Sequence, residues 1–150
     1  MALKKKRIVV VGAGFAGLAA AIALSRRYAV TVVDYRDRFE WTPNIHEILS
    51  GVKSRGDVLL DSRALVEGAG HRFLEDAVTG VDVSACQVRT ESGASLQYDA
   101  CLLATGGVRA HGGVPGAAEH ALDFRHAADA ARIAERLDTL AGRGRPVSVV

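Results

Sequence analysis

The sequence has few aromatic residues and few cysteines, and these absences exclude several classes of protein. Aromatic residues make up only 5% of its 150 residues, and there are two cysteines, Cys86 and Cys101. Their spacing matches neither a redox-active CxxC pair nor a zinc site. We therefore expect two inert thiols and no metal centre. Because structural disulfides belong to oxidising compartments, we also expect a cytoplasmic location.

A strongly basic surface is also missing, although the formal net charge is +2. The run of residues 4–7 supplies four of the 19 basic side chains, and the remaining 15 are outnumbered by 17 acidic ones. Basic and aromatic side chains are not interleaved as they are on nucleic-acid-binding surfaces. We therefore expect a small-molecule partner and no nucleic acid.

An uncharged segment at residues 8–24 follows the basic run and is similar to a secretory leader. It contains three glycines within residues 12–17, which disfavour a short apolar helix. It begins with Ile-Val-Val-Val, a composition typical of a strand, and its 17 residues barely suffice to span a bilayer. We predict neither a leader nor a transmembrane segment in this chain.

Apolar runs alternate with helical patterns along the first part of the chain, and shorter extended pieces follow. Strands that are apolar throughout are typical of a parallel sheet covered on both faces. We predict an α/β fold: a Rossmann-like, doubly wound parallel sheet with a small antiparallel β-meander as one crossover. The predicted strands are residues 7–11, 29–33, 78–83, 87–90, 95–98 and 99–104, and the predicted helices are residues 15–27, 44–49, 57–67 and 126–140.

The most specific motif is the glycine pattern of Gly12, Gly14 and Gly17 between a predicted strand and a predicted helix. Such glycines permit a tight turn, close approach of a pyrophosphate and close packing of the helix on the sheet, in that order. The start of the helix attracts phosphate charge. Asp34 ends the second strand, where a carboxylate binds the ribose hydroxyls of a dinucleotide. The alternative is a glycine-rich turn in which Asp34 only caps a loop.

A second signal is a Tyr-Asp pair, an apolar strand and the turn Ala104-Thr105-Gly106-Gly107. Together with the preceding meander, it resembles the FAD-binding domain of the two-dinucleotide-fold flavoproteins, the pyridine nucleotide-disulfide oxidoreductases. Within that superfamily the chain is most similar to type II NADH dehydrogenases and apoptosis-inducing-factor-like oxidoreductases. The resemblance implies that this turn passes close to the flavin, where small residues suit a close approach of the backbone. On its own, the turn would indicate only a strand end that needs glycine for a positive φ.

Three other segments carry the resemblance. Residues 39–48 are similar to the family's aromatic-x-Pro segment, which leads into a short helix near the flavin. This similarity places Thr42 and Pro43 among the residues expected at the cofactor. Val78 corresponds to a valine that meets the adenine, and residues 114–116 resemble a Val-Pro-Gly loop of the same group.

The chain departs from the family pattern in two ways. It lacks the cysteine pair of the disulfide-reductase branch, and its Trp-Thr-Pro-Asn-Ile-His segment differs from the commoner Phe-Gln-Pro-Leu-Leu-Tyr. His46 is interpreted as a polar residue on a short surface helix and is given no catalytic role. No Ser-His-Asp or paired-carboxylate pattern is visible, so no side chain is predicted to be catalytic, as expected where a cofactor supplies the chemistry. The predicted cofactor-binding residues are Gly12, Gly14, Phe15, Ala16, Gly17, Asp34, Tyr35, Arg36, Thr42, Pro43, Val78, Ala104, Thr105 and Gly106.

The resemblance implies the FAD-binding part of an oxidoreductase that transfers a hydride from NAD(P)H to FAD and on to an acceptor such as a quinone. Two alternatives stay open: a non-catalytic module that senses NAD, and a stand-alone NAD-dependent dehydrogenase domain. We expect residues 1–142 to form the FAD domain and residues 143–150 to be a linker and the first strand of an NAD(P)H domain. Such a chain would be incomplete and inactive alone, and the complete protein could attach peripherally to the inner face of a membrane.

Overall fold

A computed structural model describes residues 4–142, which form two compact units. The first unit comprises residues 4–39 and 61–108, and the second comprises residues 40–60 and 109–142. The strands are β1 (Arg7–Val11), β2 (Ala29–Asp34), β3 (Arg38–Glu40), β4 (Leu59–Asp61), β5 (Arg72–Glu75), β6 (Val78–Asp82), β7 (Gln87–Thr90), β8 (Ser95–Gln97) and β9 (Ala100–Leu103). The helices are α1 (Phe15–Ala23), α2 (His46–Leu49), α3 (Ser62–Gly68), α4 (Ala117–His120) and α5 (Ala127–Ala141), with 3-10 helices at Thr42–Asn44 and Arg55–Val58. The predictions for residues 143–150 lie outside the described residues.

The first unit is built on a parallel sheet of four strands in the order β5-β2-β1-β9. Successive valines of the central strands point to opposite faces, so that both faces acquire a core. Val10 and Val32 pack with Leu18 and Ala21 of α1 and with α3. The alternate valines pack under the antiparallel meander β6-β7-β8, whose Val88 is fully buried. The α/β fold class, with its doubly wound sheet and meander, is therefore confirmed.

Two strands of this sheet differ from expectation. The sequence did not predict β5, because its Arg-Phe-Leu-Glu composition is half polar, and it lies at one end of the sheet. The strand predicted at residues 99–104 forms as β9, but it is not buried on both faces. Within the described residues β9 pairs only with β1, and the side chain of Leu103 is 63% exposed.

Two predicted helices were too long. The helix predicted at residues 15–27 ends at Ala23, because Leu24 adopts an extended backbone and Ser25 begins a turn. The helix predicted at residues 57–67 begins only at Ser62. Asp61 is its N-cap and accepts a hydrogen bond from the N–H of Ala64 at 2.9 Å. Aspartate is a strong N-cap residue, so its side chain sets the start of the helix.

In the second unit, α2 and α5 share a small apolar core. Ile45 and Ile48 are buried against Ala127 and Ala130, together with Val58. The predicted helix at residues 44–49 forms as a 3-10 turn followed by α2, and the helix predicted at residues 126–140 forms as α5, shifted by one residue. The sequence did not predict α4, which is a single turn.

The start of α5 is held by a buried carboxylate, that of Asp129. Its Oδ2 accepts hydrogen bonds from the backbone N–H groups of Arg125 at 3.2 Å and His126 at 3.0 Å, and its Oδ1 accepts one from Arg132. Burial opposes ionisation of Asp129, but these bonds outweigh it and lower the pKa of its carboxyl. The backbone at residues 125–126 is therefore fixed at the helix start.

Candidate functional site

The glycine loop lies between β1 and α1, at the edge where the parallel strands end. Gly12 has a φ of +102°, which favours glycine, and a Cβ at this position would lie 2.4 Å from the carbonyl oxygen of Ala104. Its N–H donates a hydrogen bond to the carbonyl of Val33 at 2.7 Å. The N–H of Ala104 in turn donates to the carbonyl of Val11 at 2.8 Å. The two motifs found in the sequence, separated by about 90 residues of chain, are thus in direct backbone contact at Gly12 and Ala104.

The other two glycines of the motif have different environments. A Cβ at Gly17 would lie 1.8 Å from the carbonyl oxygen of Gly12 and 3.4 Å from a methyl group of Val10. Gly17 is therefore required mainly by the loop that precedes its own helix, and only secondarily by the sheet. A Cβ at Gly14 would meet no atom within 4 Å. The protein itself does not require glycine at position 14, which is the position predicted to face a pyrophosphate.

The start of α1 has the features of an anion-binding site. No side chain caps this helix, and no acidic residue lies in its first turn. The first-turn N–H groups of a helix carry a partial positive charge and have no partner within the helix. The ring of Phe15 packs edge-on against that of Phe39, with centroids 4.8 Å apart. This contact fixes the first turn of α1. The sequence did not predict that Phe39 would pack against it.

Asp34 is buried at the end of β2, and its carboxylate holds the glycine loop. Its Oδ2 accepts a hydrogen bond from the N–H of Ala13 at 2.7 Å, and its Oδ1 accepts one from the N–H of Arg36 at 2.9 Å. The loop-capping role considered as the alternative is therefore real. It does not exclude a ligand, because a carboxylate has about four lone-pair positions and these bonds use two.

The side chains that follow Asp34 are exposed. The guanidinium of Arg36 lies 5.1 Å from the ring centroid of Tyr35, and its Nε is 3.8 Å from Oδ1 of Asp34. A planar cation over an aromatic ring gives a flat polar surface beside the carboxylate. Such a surface suits the sugar or base of a nucleotide.

Val78 is brought close to Asp34 through the start of the meander. The N–H of Asp76 donates to the carbonyl of Asp34 at 2.9 Å, and Val78 begins β6 two residues later. Val78 is half-buried, against the cluster that contains Val33. Asp76, which sequence reasoning missed, ties this segment to the hydroxyl of Ser92, and that bond is the main cause of the lowered pKa of its carboxyl.

Thr105 and Gly106 continue from Ala104 into an exposed turn. Gly106 has a φ of +73° and its missing Cβ would meet no atom within 4 Å. The left-handed backbone alone accounts for a glycine here. In the first unit, the structure thus brings together the glycine loop, Asp34 with its two neighbours, Val78 and the turn at residues 104–106.

Thr42 and Pro43, the remaining predicted site residues, belong to the second unit. They form the start of a 3-10 turn and line an open cleft of about 450 Å³. His46 lies beside them, and its Nδ1 is 3.1 Å from the carbonyl oxygen of Pro43. The cleft is lined by Thr42, Pro43, Ile45, His46, Phe124, Arg125 and His126.

The thiols have separate environments. Cys86 is exposed in a turn, whereas Cys101 is half-buried in β9, and burial raises the pKa of the Cys101 thiol. Between residues 4 and 142, no three His, Cys, Asp or Glu side chains lie close enough to hold a metal ion. In the same part of the chain, no helix is both long enough and apolar enough to cross a membrane.

Comparison with known proteins gives consistent matches. The sequence profile of the pyridine nucleotide-disulphide oxidoreductases matches residues 6–150. An alternative NAD(P)H-ubiquinone oxidoreductase of Arabidopsis thaliana is 31% identical over 91% of this chain and 30% of its own length. A type II NADH:quinone oxidoreductase of Staphylococcus aureus is 24% identical over 92% of this chain and 35% of its own length. The chain thus spans about a third of the length of these relatives.

Solved structures agree with the fold. The sulfide:quinone oxidoreductase of Aquifex aeolicus superposes with a TM-score of 0.83 at 25% identity, covering 93% of this chain and 33% of its own. NDH2 of Plasmodium falciparum, solved in complex with NADH, superposes with a TM-score of 0.79 at 22% identity. That match covers 97% of this chain and 32% of the other.

Proposed function

Because the chain belongs to the pyridine nucleotide-disulphide oxidoreductase family, we propose that it binds FAD within an oxidoreductase that uses NAD(P)H. The observation that carries the proposal is the backbone contact between Gly12 and Ala104. It joins a dinucleotide-binding glycine loop to the Ala-Thr-Gly-Gly turn at one edge of the sheet. An NAD-sensing module or a simple NAD-dependent dehydrogenase needs the first motif but gives no reason for the second.

The residues present fit an adenine dinucleotide. The open space above Gly14 and the uncapped start of α1 suit a pyrophosphate, with the N–H groups of Phe15, Ala16 and Gly17 as its donors. The carboxylate of Asp34 would accept the ribose hydroxyls, beside Tyr35 and Arg36. Val78 would meet the adenine, and residues 104–106 would lie at the flavin end. The prediction that Thr42 and Pro43 meet the cofactor rests on the family resemblance.

When bound, the cofactor supplies hydride acceptance from NAD(P)H and electron delivery to an acceptor. The chain's own residues would bind and orient it. A quinone is the acceptor we favour, because the Arabidopsis and Staphylococcus relatives are named for quinone reduction. A protein that reduces a membrane quinone would work at the inner face of that membrane. Flotation with quinone-containing vesicles tests that location.

Titration with FAD and with NAD⁺ separates the proposal from its alternatives. We expect a yellow complex with absorbance near ~450 nm, the flavin band, and much weaker binding of NAD⁺. Tight NAD⁺ binding without any FAD binding would favour the sensing module or the dehydrogenase domain instead.

Replacing Asp34 by alanine is expected to weaken FAD binding by about 1.5–3 kcal/mol, since a hydrogen bond to a charged group is removed. Asp34 also holds the N–H groups of Ala13 and Arg36, so fluorescence titrations should be paired with thermal unfolding. Glutamate at position 34 keeps the charge and serves as the matched variant. Unchanged affinity in the folded alanine variant would remove Asp34 from the site.

Replacing both cysteines by serine is expected to leave FAD affinity and any NADH oxidation unchanged. Cys86 is exposed in a turn, and burial disfavours the thiolate of Cys101 by raising its pKa. FAD titration of the protein with and without the two changes provides the measurement. Loss of FAD binding with unchanged circular dichroism would show that a thiol contributes to the site.

A further inference from the structure

The turn that carries Thr42 and Pro43 is too short to hold its own shape. A 3-10 helix of three residues leads into α2, which has four. Isolated helical turns of this length are unstable in water. Ile45 and Ile48 anchor one side of the segment in the apolar core with α5. The other side must be held by polar contacts.

A chain of side-chain hydrogen bonds provides these polar contacts. The indole Nε1 of Trp41 donates to Oδ1 of Asn44 at 2.7 Å, and Nδ2 of Asn44 donates to Oε1 of Glu47 at 2.9 Å. The ammonium group of Lys53 pairs with Oε2 of Glu47. The backbone carbonyl of Glu47 also accepts the N–H groups of Val52 at 3.0 Å and Lys53 at 3.1 Å. The network therefore ties the start of the segment at Trp41 to its end at Lys53.

The chemistry of the partners fixes the direction of each bond. An indole N–H can only donate, and an ionised carboxylate can only accept. Lys53, followed by Asn44, lowers the pKa of the Glu47 carboxyl, which keeps it ionised. Asn44 has one acceptor and one donor group, so its amide satisfies both neighbours in only one orientation.

We propose that Asn44 and Glu47 are positioning residues, which hold the Thr42–Pro43 turn in the orientation that meets the cofactor. The inference rests on the proposed function. Neither side chain lines the cleft of the second unit. They act through the turn, whose Thr42 and Pro43 line the cleft of the second unit.

An exchange of hydrogen-bond direction tests the network. Asn44→Asp places a second carboxylate against Glu47 and should weaken FAD binding about tenfold or more, as expected for a charge-assisted bond. In the double variant Asn44→Asp, Glu47→Gln, the new amide donates to the new carboxylate and its oxygen still accepts from Lys53. We expect the double variant to bind FAD within about twofold of the parent.

A readout without FAD is available, because Trp41 is the only tryptophan of the chain. Its emission maximum and its quenching by acrylamide should change in Asn44→Asp and return in the double variant. Glu67→Gln is the matched control, because it removes a carboxylate from the Arg63 ion pair on α3 and should change neither measurement.

The outcomes separate the two proposals. Absence of FAD binding by the parent protein would overturn the proposed function and, with it, the positioning role. If the parent binds FAD, equal affinity in Asn44→Asp, or a double variant as weak as the single one, would overturn the positioning role alone. Restored affinity together with restored Trp41 emission supports it.

Discussion

Replacing Gly14 by valine is expected to abolish FAD binding while the protein still folds. Gly14 has an extended backbone, with φ −76° and ψ −169°, which a β-branched residue adopts readily. A Cβ at this position would meet no atom within 4 Å. The valine side chain would instead occupy the space that the pyrophosphate requires. We expect a loss of at least a hundredfold in affinity, or about 2.7 kcal/mol.

The folded state of the Gly14→Val variant is expected to lose about 1 kcal/mol or less, because valine is a poorer N-cap than glycine. Far-UV circular dichroism and urea unfolding measure this loss, and fluorescence titration measures FAD affinity. Gly14→Ala should give an intermediate affinity. Tight FAD binding by the folded valine variant would mean that the pyrophosphate lies elsewhere.

Replacing Gly17 by alanine is expected to have the opposite signature, a large loss of stability. In a helix interior, alanine is favoured over glycine by about 1 kcal/mol. At this position, however, the new Cβ would lie 1.8 Å from the backbone carbonyl of Gly12. The backbone of the loop must shift, and overpacking of this kind costs about 3 kcal/mol. The clash outweighs the helix preference, and urea unfolding should report a net loss of about 2 kcal/mol or more.

Gly68 provides the matched control for Gly17. It is also a helical glycine, in α3, but a Cβ there would meet no atom within 4 Å. Gly68→Ala should therefore be neutral or stabilise the protein by up to about 1 kcal/mol. If Gly17→Ala and Gly68→Ala had the same effect on the free energy of unfolding, the contact between Gly17 and the loop would be refuted.

Gly14 and Gly17 belong to the same sequence motif but have different reasons to be glycine. The motif predicts close approach of a pyrophosphate at Gly14 and close packing of the helix at Gly17, and the folded structure decides whether that distinction holds. That distinction depends on which atoms surround each Cβ position. Gly17 faces a backbone carbonyl, whereas Gly14 faces open space. Paired measurements of stability and affinity therefore test the fold and the proposed site separately.

The sequence by itself determined the fold class, the family and the identity of the two motifs. Apolar runs at Arg7–Val11 and Ala29–Asp34 are long enough to indicate buried parallel strands, and the glycine spacing depends only on neighbouring positions. Local patterns of this kind predict the same secondary structure in any fold that buries the strands. The family match over residues 6–150 agrees with the family that these local patterns predicted.

Only the tertiary structure decided how far each helix extends, which strands form the sheet and what the polar side chains hold. The helix predicted at residues 57–67 starts late because Asp61 caps it, and β5 forms because β2 offers it a partner. Asp34 reaches the N–H of Ala13, and Asn44 joins Trp41 to Glu47, through directional hydrogen bonds. Such bonds depend on distances and angles that arise only when the chain is folded, so residue spacing alone does not predict them.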